Sequence, residues 1–278
     1  MITKNQGGTG IEFVVWDLGD TLIRIRSSVW SQVASYFADE SRIEITPDDL
    51  RKAVRQEWLA RDDPTSMNII RNIDTQEKEK KYFREFYLCV AQRLGLKRPS
   101  DKLIRFLVAS QMEPCNYEII SGAKETLEIL KKMQIPQALL SNGFVSSKMQ
   151  LMYLGLDKYF ELIMISFEEK LVKPDIAIYK ELLTRLNVDS PKNVLFVDDR
   201  LTFVEGAARS GMQSVWFNNN NAESRTWKNT IFKLDQILDR VTKMSGADGH
   251  FFYMIYPESD ALQLNMQRVL ECQTVPVS

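Results

Sequence analysis

The sequence predicts an α/β protein, a doubly wound parallel sheet with an all-helical segment inserted after its first strand. Short apolar runs recur at 13–16, 137–140, 162–165, 194–197 and 214–217, each nearly continuous in apolar character rather than alternating. Strands buried on both faces of a parallel sheet must read that way. Helical patterns separate the later runs, and strand–helix–strand repetition builds a Rossmann-like sheet. The stretch 27–115, between the first run and the second, holds no convincing strand.

In chain order, Phe13-Val14-Val15-Trp16 is the first strand. The insertion then reads as helices, with apolar sets Val29, Trp30, Val33, Tyr36 and Phe37; Leu50, Val54 and Trp58; Tyr82, Phe83, Phe86, Tyr87 and Val90; and Leu103, Ile104 and Leu107 at helical spacing. Thr46-Pro47-Asp48-Asp49 marks a helix start, with a capping threonine, proline at the first helical position and acids in the first turn. An insertion here emerges at one end of the sheet and covers the crevice where open α/β sheets bind ligands. Further helices are expected over 123–133, carrying Leu127 and Leu130; over 146–154, where Met149, Met152 and Tyr153 share a face; and over 175–187, carrying Ile178, Leu182, Leu183 and Leu186. The expected domains are a core of 1–26 and 116–245, a helical cap of 27–115 and a C-terminal extension of 246–278. That tail, with Phe251–Tyr256 and a helix carrying Leu262 to Leu270, is expected to pack on its own domain, with a homodimer or partner contact as the alternative.

Composition narrows the function. Against 36 Lys+Arg stand 37 Asp+Glu, a net charge of −1, so neither nucleic acid nor an anionic membrane is expected as partner. Three scattered cysteines, Cys89, Cys115 and Cys272, fit reduced thiols better than a disulfide frame or a zinc site. No apolar run approaches the roughly 18 residues of a membrane span, and no secretory segment opens the sequence; a cytoplasmic protein is expected. His250 is the sole histidine, so carboxylates must do the acid–base work.

Four motifs lie where such chemistry is expected. Trp16-Asp17-Leu18-Gly19-Asp20-Thr21-Leu22 ends the first strand, Leu140-Ser141-Asn142-Gly143 the second, and Val197-Asp198-Asp199 the fourth, while Lys173-Pro174-Asp175 precedes a helix. Each alone also reads as a turn, a loop stiffener or a helix cap. Four in order at strand termini are hard to assign to coincidence. Arg24 and Arg26 read as solvated loop charges, and Trp30, Trp58 and Phe83 as cap core rather than a substrate platform.

Together the motifs resemble the haloacid dehalogenase-like hydrolase superfamily, in the branch with a helical cap after the first motif. The resemblance covers about residues 12–220. It implies a Mg²⁺-dependent phosphatase for a small phosphorylated metabolite, with Asp17 as the nucleophile that forms an aspartyl-phosphate. Asp17, the Gly19 carbonyl, Asp198 and Asp199 would hold Mg²⁺. Ser141 and the N–H groups around Asn142 and Gly143 would hold phosphate oxygens, and Lys173 would neutralise the nucleophile and the transferring group.

One departure stands out. Phosphatases of the family usually carry a second aspartate two positions after the nucleophile, as general acid and base, and here that position is Gly19. The acid is instead Asp20, where the family usually has glycine. Losing the acid weighs most on poor leaving groups, so activated phosphates are favoured. The alternatives are a catalytically weak or silent module that binds a ligand or partner, and a haloacid dehalogenase-type hydrolase.

Overall fold

The computed structural model describes residues 10–219 and 226–244. The elements run β1 (Phe13–Trp16), β2 (Ile23–Ile25), α1 (Ser27–Ser41), α2 (Pro47–Ala60), α3 (Pro64–Ile70), α4 (Gln76–Arg93), α5 (Asp101–Met112), β3 (Tyr117–Ile119), α6 (Ala123–Lys132), β4 (Gln137–Ser141), α7 (Val145–Tyr153), β5 (Leu162–Ile165), α8 (Ser166–Glu169), α9 (Ile176–Leu186), β6 (Val194–Asp198), α10 (Leu201–Arg209), β7 (Gln213–Phe217), β8 (Thr230–Ile231) and α11 (Gln236–Met244). The C-terminal extension, His250 and Cys272 lie outside the described residues.

Six strands form one sheet in the order β5-β4-β1-β6-β7-β8, every pair parallel. The chain switches direction across the sheet at β1, and a crevice opens at the carboxyl ends beside such a switch point. Alternate residues feed opposite faces, as strand geometry requires. Val14 and Trp16 join Leu127, Leu130 and Ile237 on one side, and Phe13 and Val15 join Ile178, Leu182 and Phe203 on the other. Both faces are covered, which is why these strands read as unbroken apolar runs.

The five helices α1–α5 form a separate apolar cluster around Phe37, Leu50, Phe83, Phe86, Leu103 and Leu107. Thr46 starts α2 as its sequence predicts, since its hydroxyl accepts from the Asp49 N–H and the Asp49 carboxylate accepts from the Thr46 N–H. This closes a capping box. The helices leave and rejoin the core through an antiparallel ribbon, β2 with β3, that pairs Ile23 with Ile119 and Ile25 with Tyr117. Two core residues, Phe144 and Val172, sit inside the helical cluster. In addition, Ser146 at the start of α7 donates through both its N–H and its hydroxyl to the buried Glu79 carboxylate on α4.

Met149, Met152 and Tyr153 share a face of α7, but that face points outward, with exposures of 43%, 59% and 61%. The buried face is Ser146, Gln150 and Leu151. Polar groups turn inward because Glu79 and the Gln111 carbonyl receive them, and helical spacing says which residues share a face without saying which face docks.

Candidate active site

Asp17 and Asp198 lie side by side because of strand register. Trp16 pairs with Val197 across β1 and β6, so the next residue of each chain leaves the sheet at the same level. Trp16 also pairs with Leu139, which brings Ser141 to the same edge from β4. Adjacent strands lie about 4.8 Å apart, so three functional side chains converge without any long excursion of the backbone.

Thr21 and Trp216 fix the fourth motif against the first. The Asp199 N–H donates to Thr21 Oγ1 at 3.1 Å, and Trp216 Nε1 donates to the Asp199 carbonyl at 2.8 Å. The Arg200 N–H donates to Asp198 Oδ1 at 2.8 Å, so Asp198 also organises the start of α10.

Lys173 is fully buried, and its ammonium has three acceptors: Asp17 Oδ1 at 2.7 Å, Asp198 Oδ2 at 2.6 Å and the Leu140 carbonyl at 2.9 Å. That matches the three donors of an ammonium. Burial alone would push its pKa down; the Asp17 and Asp198 charges outweigh this and hold it above the ordinary lysine value. Asn142 clamps the lysine backbone from across the site, since its Nδ2 donates to the Lys173 carbonyl and its Oδ1 accepts from the Lys173 N–H, both at 2.8 Å.

These contacts bear on two expected roles. The Gly143 N–H donates to Ser166 Oγ at 3.1 Å, and that hydroxyl donates to the Gly143 carbonyl at 3.0 Å, so Gly143 does not offer its N–H to a ligand. Glycine is needed there for space, because a Cβ would meet Ser147 Oγ at 2.8 Å and Ile165 Cγ2 at 3.0 Å. Lys173 neutralises Asp17 directly, whereas contact with a transferring group would require it to leave one of its three acceptors.

One carboxylate oxygen each from Asp17, Asp198 and Asp199 lie within 4.8 Å of one another. Three carboxylates against one ammonium give a net negative cluster of hard oxygen donors, which fits a divalent cation such as Mg²⁺. The electrostatics agree. Burial raises Asp198 to about 7, with the Asp17 charge adding to the rise and the Lys173 ammonium opposing it. Asp199 is pushed well up by burial first, then by Asp198, Asp20 and Asp17.

Asp20 has φ +56°, the left-handed region where glycine is the easy choice and aspartate is tolerated. Its side chain lines the cavity. Burial raises its pKa first and the Asp17 charge next, against Arg55, Arg24 and Arg200. Gly19 has no atom within 4 Å of where a Cβ would stand.

A cavity of about 440 Å³ connects this floor, Asp17, Ser141 and Asp199 included, to the inserted helices, which contribute Trp30, Arg51, Arg55 and Trp58 to its wall. Arg200 bridges the two by pairing with Asp62. Trp58 and Phe83 are thus both helical core, packed edge-on to each other and tilted or edge-on against Phe86, and cavity wall. Arg24 donates to Glu118 at 2.9 Å and Arg26 to the Tyr117 carbonyl at 3.0 Å, so the ribbon employs both side chains. Sequence reasoning missed Arg51 and Arg55, because exposed arginines on an amphipathic helix carry no signal that a cavity faces them, and the Asp62–Arg200 pair, whose partners lie far apart in sequence.

The family model described as haloacid dehalogenase-like hydrolase matches residues 11–211, a span that contains all four motifs. The chain belongs to the haloacid dehalogenase-like hydrolases. A glyceraldehyde 3-phosphate phosphatase of Pyrococcus furiosus is 31% identical over 137 residues, covering 46% of this chain and 57% of that protein. The match therefore spans little more than half of that relative's length. The haloacid dehalogenase-like hydrolase domain-containing protein 3 of Danio rerio is 26% identical over 192 residues, 68% of this chain and 77% of that one. The HAD-hydrolase YfnB of Bacillus subtilis, solved with magnesium bound, superposes with a TM-score of 0.61 at 16% identity over 83% of this hydrolase and 98% of that chain. At that identity the likeness is one of fold. No helix among the described residues of this hydrolase is long and apolar enough to cross a membrane.

Proposed function

We propose that this hydrolase is a Mg²⁺-dependent phosphatase for a small phosphorylated metabolite, acting through an aspartyl-phosphate on Asp17. The observation that carries the reading is the Asp17 carboxylate at the mouth of the central strand, held at 2.7 Å by a buried ammonium and grouped with two further carboxylates. Relatives named as phosphatases of glyceraldehyde 3-phosphate and of phosphorylated carbohydrates support it.

Asp17, Asp198, Asp199 and the Gly19 carbonyl would hold the cation, which when bound screens the charge between Asp17 and the phosphoryl oxygens. Lys173 fixes the rotamer of Asp17. Ser141, nearly buried at the end of β4, has a hydroxyl to donate to a phosphoryl oxygen. The Asn142 N–H lies beside it, and no bond to it is found among the described residues. The Asp17 carboxylate attacks phosphorus, the bond from phosphorus to the ester oxygen breaks, and the departing oxygen takes a proton. Water then cleaves the acyl phosphate, releasing phosphate and restoring Asp17. Roofed by the helices, the cavity keeps bulk water from competing with the first step.

Cation binding has a test apart from turnover. Saturating Mg²⁺ is expected to raise the melting temperature by several degrees, since a ligand at about 100 times its Kd contributes roughly 2.7 kcal/mol and 1 kcal/mol moves a domain of this size by about 2–4 °C. Asp199→Asn should stabilise the cation-free protein, by relieving like-charge repulsion, and erase the Mg²⁺ response. An unchanged response in that variant, followed by differential scanning fluorimetry, would remove Asp199 from the cation site.

Proton transfer to the leaving oxygen is the weak step, and position 19 offers a direct probe. Gly19→Asp meets open space and needs no left-handed backbone, so it is expected to raise turnover of alkyl phosphates by about 10²–10⁴ and to change aryl phosphates little. Conversely, if Asp20 serves in that step, Asp20→Asn lowers kcat for alkyl phosphates far more than for aryl phosphates. Equal losses on the two classes would assign Asp20 to the turn alone.

A further inference from the structure

We propose that the substrate carries a second anionic group, a carboxylate or another phosphoryl group, on its leaving side, and that Arg51 and Arg55 of α2 receive it. The inference rests on the phosphatase reading and narrows its substrate class.

The course of α2 across the cavity is the first argument. Just past its carboxyl end, Asp62 pairs with Arg200, the residue after Asp199, so this end of the helix is tied to the corner where the carboxylates gather. Trp58, Arg55 and Arg51 recede from that corner at spacings of three and four, which place them on one face, and all three line the cavity. At 1.5 Å per residue, Arg51 stands about 6 Å beyond Arg55 and roughly 13 Å from the end of the helix at Ala60. A phosphoryl group at Ser141 and Asp17 therefore leaves a body of a few carbons beside Trp58 and Trp30, with its far end at the guanidinium pair.

Charge is the second argument. Arg200 is engaged by Asp62 and Arg24 by Glu118, while Arg51 and Arg55 both line the cavity wall. Arg51 meets Asp48 only at 3.7 Å, with both side chains well exposed; an exposed pair of that kind contributes a few tenths of a kcal/mol. The wall opposite the acidic floor thus presents guanidinium forks suited to bidentate contact with a carboxylate or phosphate.

The test uses phosphonates, whose carbon–phosphorus bond the proposed chemistry does not cleave, titrated into the full chain with Mg²⁺ and followed by tryptophan fluorescence, to which Trp30 and Trp58 contribute. Both 3-phosphonopropionate and ethylenediphosphonate are expected to bind at least tenfold tighter than propylphosphonate, the scale of one charge-assisted hydrogen bond. Which of the two binds better tells a carboxylate from a second phosphoryl group. The gap should collapse in Arg51→Ala and in Arg55→Ala and survive in part in Arg51→Lys. In parallel, KM for 2-phosphoglycolate should rise more than KM for ethyl phosphate in the two alanine variants. Equal binding of charged and neutral phosphonates, or equal losses on both esters, would overturn the proposal and show that the arginines only balance the acidic floor. Turnover of neutral esters without a gap leaves the phosphatase reading standing; a gap without turnover of any ester removes that reading and keeps the anion site.

Discussion

Asp17→Asn is expected to abolish turnover while leaving the fold intact. An amide cannot attack phosphorus, and removing a covalent nucleophile costs on the order of 10⁴–10⁶ in kcat in enzymes where it has been dissected. The fold survives because Lys173 keeps Asp198 and the Leu140 carbonyl as acceptors, and the new side-chain oxygen can still accept from the ammonium. The measurement is steady-state hydrolysis of an aryl phosphate with Mg²⁺, beside thermal unfolding of both proteins. Loss of turnover with an unchanged unfolding profile is the expected pair of results, and wild-type protein quenched in acid during turnover should carry a phosphoryl group that the variant lacks. Full activity in the variant would sink the assignment of Asp17, and with it the chemistry built on the motif.

The architecture was legible because burial on both faces leaves a plain mark on sequence. The strands read at 13–16, 137–140, 162–165 and 194–197 match β1, β4, β5 and β6 to within a residue, with β7 beginning one residue before its run at 214–217. What escaped notice was short or shaped by distant partners. The strands β2 and β3 have three residues each and β8 has two, too few to establish an alternation. Ribbon pairing, rather than local propensity, makes Ile23–Ile25 extended.

The site divides in the same way. Asp17, Ser141, Lys173 and Asp198 are found together, since strand ends and a following loop are positions a sequence can reveal. Gly143 is ambiguous in sequence because a glycine kept for close packing against Ser147 and Ile165 looks like one kept to expose an N–H. The α2 arginines were invisible for a further reason. Their positions on α2 are exposed in the ordinary sense, and only the three-dimensional course of the helix turns that exposure toward a cavity.

Asp20 shows how a departure becomes intelligible. With φ +56°, its position is one that glycine occupies most easily, which fits the glycine that the family resemblance implies there. Here the flexible residue sits one step earlier, at Gly19, and the acid occupies the left-handed site, so the two have exchanged places around the same turn. The backbone bonds that shape the turn, Asp20 N–H to the Ile23 carbonyl at 2.8 Å and Leu22 N–H to the Leu18 carbonyl at 2.8 Å, do not involve either side chain. The exchange therefore alters the direction of a carboxylate without altering the loop that carries Asp17.

Lys173→Met is expected to be costly in stability as well as activity. Methionine keeps the length of the side chain but removes every donor, leaving Asp198 fully buried beside Asp17 with no cation between them. Breaking a buried ion pair by removing one partner costs about 3–5 kcal/mol, a large share of the roughly 5–15 kcal/mol that holds a domain folded. The rings of Phe196 and Phe203, 5.4 and 4.9 Å from the ammonium, cannot solvate the carboxylates left behind. Denaturant unfolding should show the loss, and Mg²⁺ should restore part of it by supplying positive charge to the same carboxylates, while turnover stays absent because Asp17 is no longer held. A double variant, Lys173→Met with Asp198→Asn, separates charge from packing. If the uncompensated carboxylate is the cause, the double variant is more stable than Lys173→Met alone, a coupling that a double-mutant cycle measures. If the second substitution only adds to the damage, the ammonium contributes by filling space, and electrostatic anchoring of the nucleophile loses its support.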